Sequence, residues 1–270
     1  LHLSIRRQRQ MCIRDRNNSE VVCIMDNVIV VASGKGGTGK STVCICLSVA
    51  LIKQGKKVLL IDCDCGMRGL DIMLDMENDI VFDAADAVSG NCSFTDAVYK
   101  SKNNENLYLM AAPFDTDNEL SPGVFRQLVD TLKADYDFVI IDSPAGIGSG
   151  FVTAATPADR ALIVANAEPT SVRGGLKVKN KLDALGIKNQ RLVINRFDRK
   201  TFTELGFYAD LDEVIDAVQT QLIALVPFDI RISVIMQRGV AGLNWSAAAS
   251  VFDCLARRLE GQRVPLAFKG

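Results

Sequence analysis

Histidine is nearly absent from this sequence. The only one is His2, in a stretch that reads as foreign to the fold. Proton abstraction near neutral pH therefore falls to a carboxylate, or the chemistry needs no strong base. Long apolar runs are missing as well: none approaches the roughly 20 residues that carry a helix across a bilayer. A charge of one sign is also lacking. The formal net charge is −1 and the pI near 6.0, so no whole-chain basic field exists to hold nucleic acid. The eight cysteines include the pairs Cys44/Cys46 and Cys63/Cys65, but neither pair has C-x-x-C spacing and no histidine lies near. They read as reduced, buried, small apolar side chains of a cytosolic protein. A C-x-C metal or redox site at Cys63 and Cys65 is the alternative. No internal repeat, low-complexity tract or linker divides the chain.

The first residues carry Arg6, Arg7, Arg9, Arg14 and Arg16 with no helical or strand period. They lack the apolar core of a secretory signal and the amphipathic, Ser-rich character of a transit peptide. Residues 1–24 are set apart as a non-native or disordered extension, and residues 25–270 as one domain. Without residues 1–16 the formal charge of the body is about −5, by the usual count of side chains.

What is present is a glycine-rich stretch, Gly34-Lys35-Gly36-Gly37-Thr38-Gly39-Lys40-Ser41-Thr42. It follows the β-branched run Val28-Ile29-Val30-Val31 and opens a helix-patterned run. The pattern G-x-x-x-x-G-K-[ST] fits from Gly34 to Ser41. Glycines let several N–H groups converge on one centre, and the following helix adds its positive end. Lys40 is placed to reach the outer phosphates of a nucleotide, and the Ser41 hydroxyl to ligate Mg²⁺.

Downstream, apolar strand runs recur and end in polar residues. Lys57 to Ile61 leads to Asp62-Cys63-Asp64, and Phe138 to Ile141 to Asp142. Ligands of an open α/β sheet sit beyond the carboxyl ends of its strands, so Asp62, Asp64 and Asp142 should face the phosphates. Further strands are expected at Leu107–Met110, Arg160–Ala165, Gln190–Ile194 and Gln221–Val226. Helices are expected at Ser41–Gln54, Ser121–Ala134, Thr170–Leu185, Asp212–Val218, Asp229–Gln237 and Trp245–Glu260. The alternation means an α/β fold: a single P-loop NTPase domain, its mostly parallel sheet covered by helices on both faces.

The second lysine, Lys35, gives K-G-G-x-G-K-[ST]-T, which resembles the MinD/ParA family of dimerising ATPases. Ile61 to Asp71 (I-D-C-D-C-G-M-R-G-L-D) and Ile141 to Ile147 (I-D-S-P-A-G-I) are similar to two further stretches of that family, more on its MinD than its ParA side. The resemblance runs from about Val28 to Leu266. It implies that Gly36, Gly37, Thr38, Gly39, Lys40, Ser41 and Thr42 bind ATP. Lys35 would reach across a homodimer to the partner's nucleotide, and Asp64 would orient the attacking water. Ser41, Asp62 and Asp142 would hold Mg²⁺ or its water shell. Asn195 and Arg196 would contact adenine, with Pro227 and Asp229 on a second base-side loop. The implied activity is slow, regulatory hydrolysis of ATP. It would control partner recruitment, with MinC/MinE-like proteins as partners, in division-site or other spatial placement. The implied location is the cytoplasm, peripheral to the inner face of the membrane.

Some positions depart from the family pattern. Thr38 replaces the usual Val, and Gly69 the usual Asn. Phe228 replaces an acidic residue, and Gln237-Arg238-Gly239 stands near the family's Asn-Gln-Gly. The face Ala248, Val251, Phe252, Leu255 and Leu259 reads as core packing. Beyond it only Leu266, Phe268 and Lys269 suit a membrane, so a membrane-binding tail is short or missing. Three other readings are weaker. A ParA-type DNA-binding ATPase would use Lys177, Lys179 and Lys181, an iron–sulfur carrier lacks its C-x-x-C, and a non-hydrolysing scaffold would not need Lys35, Lys40, Asp64 and Asp142.

Overall fold

A computed structural model describes residues 26–65, 68–113, 120–232 and 248–266. The strands are β1 (Val28–Ala32), β2 (Val58–Asp62), β3 (Tyr99–Lys100), β4 (Leu107–Met110), β5 (Phe138–Asp142), β6 (Arg160–Ala165), β7 (Asn189–Phe197) and β8 (Leu222–Pro227). They form one sheet in the order β3-β4-β2-β5-β1-β6-β7-β8. Only the β3–β4 pair is antiparallel. The helices are α1 (Lys40–Lys53), α2 (Gly69–Met73), α3 (Ala84–Ser89), α4 (Pro122–Leu132), α5 (Ser149–Ala155), α6 (Pro169–Ala184), α7 (Arg199–Leu205), α8 (Leu211–Val218) and α9 (Ala249–Leu259).

Alternate residues of each central strand enter two separate cores. Ile29, Val31, Leu60 and Ile140 pack under α1 and α9, while Val28, Val30, Leu59 and Ile141 pack under α4, α5, α6 and α8. A parallel sheet covered on both faces has no solvated side, which is why its strands are apolar throughout. The same reasoning explains α1. It is buried from Val43 to Leu51, between the sheet and α9, and so has no polar stripe. The face expected on α9 packs inward: Ala248, Phe252, Leu255 and Leu259 are buried.

Local signals mark most ends where they were expected. Gly55, at φ +81°, donates its N–H to the Ile52 carbonyl and stops α1. The Ser121 hydroxyl accepts from the Val124 N–H, with Pro122 opening α4. Three elements were not read from the sequence. β3 is two residues long, α5 opens on a glycine-flanked serine, and α7 buries none of its side chains, so none carries a clear apolar period. β7 also runs past Ile194 to Phe197. The expected helix from Asp229 to Gln237, the start of the last one at Trp245, and Phe268 and Lys269 fall wholly or partly outside the described residues.

Candidate nucleotide site

The glycine-rich loop leaves β1 at the centre of the sheet and enters α1. Gly37 and Gly39 take φ of +76° and +90°, a region that costs other residues strain. No described acceptor takes the N–H of Thr38 or Gly39, so both are available to an anion. Lys40 is 7% exposed, in the first turn of α1. Thr38 is buried, and its hydroxyl has no hydrogen-bond partner. A threonine here thus carries a desolvated hydroxyl that the family's usual valine would not.

The register of β2 with β5 sets Asp62 directly beside Asp142. Both are buried at the carboxyl ends of their strands. Burial pushes the Asp142 carboxyl up to about 6, against the pull of the Ser41 hydroxyl and the Lys40 ammonium. Burial and then the neighbouring Asp142 push Asp62 up to about 7. The two carboxylates differ in what they hold. Asp62 accepts the Asp64 N–H at 2.9 Å on Oδ1 and the Leu70 N–H at 3.2 Å on Oδ2. Asp142 Oδ1 is buried with no partner. Asp142 thus keeps an oxygen open to a metal, while Asp62 also braces the loop that carries Asp64. A divalent cation in front of Asp142 would supply the positive charge that two adjacent buried carboxyls lack. With Ser41 beside them, the residues present fit Mg²⁺.

Asp64 is partly exposed and lines a cavity of about 320 Å³ with Cys63, Cys65 and Pro144. After it, Arg68 turns through a left-handed conformation and pairs with the nearly buried Asp71 at 2.9 Å. Gly66 and Met67 lie outside the described residues. None of the six described cysteines is in a disulfide.

Lys35 stands half-exposed on the rim. Its ammonium is 3.3 Å from the Thr170 hydroxyl and 3.7 Å from the Glu168 carboxylate, at the start of α6. Neither contact was anticipated from the sequence. Asn195 and Arg196 both reach the loop. Asn195 Nδ2 donates to the Thr38 carbonyl at 2.8 Å, and Arg196 Nη1 to the Gly37 carbonyl at 3.0 Å. Pro227 pairs with Phe197 across the sheet, and Asp229 accepts from its neighbour Arg231. A cavity of about 540 Å³ opens beside them, lined by Asn166, Glu168, Arg196, Phe202 and Phe228 among others. The remaining surprise is Gly34, whose backbone rests on Gly174 of α6. A Cβ added at Gly34 would lie 2.3 Å from the Gly174 carbonyl. The pair Gly174-Gly175 inside a helical pattern was the signal for such a close approach.

A phosphate loop between β1 and α1, faced by a buried strand-end carboxylate on the neighbouring strand, defines a P-loop nucleoside triphosphatase. Comparison with known proteins narrows the class. The profile of the AAA domain family AAA_31 matches residues 26–194. The septum site-determining protein MinD of Synechocystis is 38% identical over 245 residues, covering 89% of this chain and 92% of its own. The MinC:MinD cell division protein complex of Aquifex aeolicus contains a chain of 34% identity and TM-score 0.81. That match covers 90% of this chain and all of the other. MinD of Pyrococcus horikoshii, solved with Mg-ADP, is 29% identical with TM-score 0.76, over 87% of this chain and 96% of its own. The chain belongs to the MinD/ParA family of ATPases, alongside its septum site-determining members.

Proposed function

We propose that this chain is a MinD-type ATPase switch that binds ATP with Mg²⁺ and hydrolyses it slowly within an ATP-dependent homodimer. The observation that carries the reading is Asp142 Oδ1, buried and unpartnered, beside Ser41 and Lys40 at the mouth of the phosphate loop. The Thr38 and Gly39 N–H groups and the first N–H groups of α1 bind the phosphates. Lys40 holds their outer oxygens. Ser41 and Asp142 would hold Mg²⁺, which when bound withdraws charge from the transferred phosphoryl group. Asp64 orients a water, on a loop that Asp62 fixes through two N–H groups. Positioning and charge stabilisation suffice for phosphoryl transfer, which suits a site without histidine.

Lys35 completes the site from the partner copy, once it leaves Glu168 and Thr170. The Aquifex complex supports a MinC-type protein as partner and division-site placement as the output. Phosphate release measured against protein concentration tests the reading. Specific activity of the wild type should rise with concentration. That of Lys35→Ala should be at least about tenfold lower and flat, since a charge supplied to the transition state in trans is worth far more than that in related enzymes. Equal release from both proteins would sink the cross-dimer mechanism.

A further inference from the structure

Asn195 and Arg196 lie where β7 loses register with β8. Ile194 pairs with Leu225 and Phe197 with Pro227, so the residues between them bulge. Arg196 takes φ +52° there. Bulges re-aim side chains, and this one turns two adjacent residues onto the phosphate loop. Asn195 is buried, with its amide nitrogen on the Thr38 carbonyl. That nitrogen sits 2.4 Å from the point a Gly39 Cβ would occupy. Arg196 holds the Gly37 carbonyl from the solvent side.

In a trans peptide the C=O and the following N–H point in opposite directions. Fixing the Gly37 carbonyl therefore fixes the Thr38 N–H, and fixing the Thr38 carbonyl fixes the Gly39 N–H. Neither of these N–H groups has a hydrogen-bond acceptor among the described residues. We propose that Asn195 and Arg196 are positioning residues of the phosphate loop. From the β7 bulge they pull two carbonyls outward and so aim two N–H groups at the phosphates. This rests on the reading that the loop holds a nucleoside triphosphate.

The test titrates Mg²⁺ complexes of ATP, GTP and inorganic tripolyphosphate against wild type and Asn195→Ala, with the thermal midpoint of each unliganded protein recorded. The expected result is about tenfold weaker binding of ATP and tripolyphosphate alike, the loss of roughly one charge-assisted hydrogen bond. The ratio between the ligands should hold within about threefold, with the unliganded midpoint lowered by only a few degrees, roughly the cost of leaving the buried Thr38 carbonyl unpaired. A loss confined to ATP, with tripolyphosphate unchanged, overturns the proposal in favour of a base contact. Unchanged affinity for all three also overturns it. A wild type that binds none of them overturns the nucleotide reading as well. Should Asn195→Ala not fold, Arg196→Lys carries the same comparison, because it sits on the surface and keeps the charge while losing the fork that reaches Gly37.

Discussion

Gly34→Ala should lower the thermal midpoint by roughly 6–12 °C, the shift that about 3 kcal/mol produces in a domain of this size. The added methyl would meet the carbonyl carbon and oxygen of Gly174 at 2.3 Å and its Cα at 2.4 Å. These are backbone atoms of α6, so no rotamer change relieves the overlap. Either the loop or the helix must move, and overpacking of this kind costs on the order of 1–3 kcal/mol or more. A shifted loop also misdirects its N–H groups. Nucleotide binding should weaken by about a hundredfold, as when one or two charge-assisted hydrogen bonds are lost. The reciprocal change separates this account from a general intolerance of the site. A Cβ at Gly174 meets Gly34 no closer than 3.1 Å. Gly174→Ala should therefore cost about 1 kcal/mol, within the ordinary range for a tight but relievable contact. Calorimetry of both variants checks the order, and equal midpoints would refute the contact argument.

Asp142→Asn should stabilise the metal-free protein while reducing hydrolysis by about a thousandfold, a typical cost of removing a group that supports charge in the transition state. The sign follows from burial. Asp142 is raised to about 6, so the fold favours its protonated form. That contribution is fully present below the carboxylate's ordinary value near 3.8 and is lost as pH rises through about 6. At pH 8 the ionised, buried carboxylate opposes folding by about 2–3 kcal/mol at most. The asparagine variant should thus melt several degrees above wild type at pH 8, and the gap should close towards pH 5. Mg-ATP should raise the midpoint of the wild type far more than that of the variant. Melting curves at the two pH values, with and without Mg-ATP, check both halves. A gap that does not change with pH would show that the Asp142 carboxyl is not ionising at a cost. EDTA should reproduce the loss of hydrolysis in the wild type.

Each feature that was legible in the sequence depends on residues close together in the chain. The loop from Gly34 to Thr42 could be read because its glycines, lysines and hydroxyls act within one turn of backbone. The strands ending at Asp62 and Asp142 could be read because buried parallel strands are apolar runs and ligands gather at their carboxyl ends. Thr170 to Leu185 could be read as a helix, and α6 lies within one residue of that span. The two-residue β3 and the mostly exposed α7 had no such signal, since each packs only one aromatic side chain, Tyr99 and Phe202, against a core and so shows no apolar period. Asp62 was placed on the metal because its position matches the family's. Only the fold shows both of its oxygens taken by the N–H groups of Asp64 and Leu70.

The sequence by itself determined the class of chemistry, the parallel sheet and the identity of the phosphate loop, because local pattern and hydrophobic period suffice for these. The tertiary structure alone decided what braces that loop. Gly34 meets Gly174, and Asn195 reaches Thr38 across 157 residues. It also decided which of two matching aspartates keeps an oxygen free. Such contacts join segments whose separation in the chain carries no period. They exist only once the sheet has set β6, β7 and their helices beside β1, where a missing Cβ or one bulge determines which atoms meet.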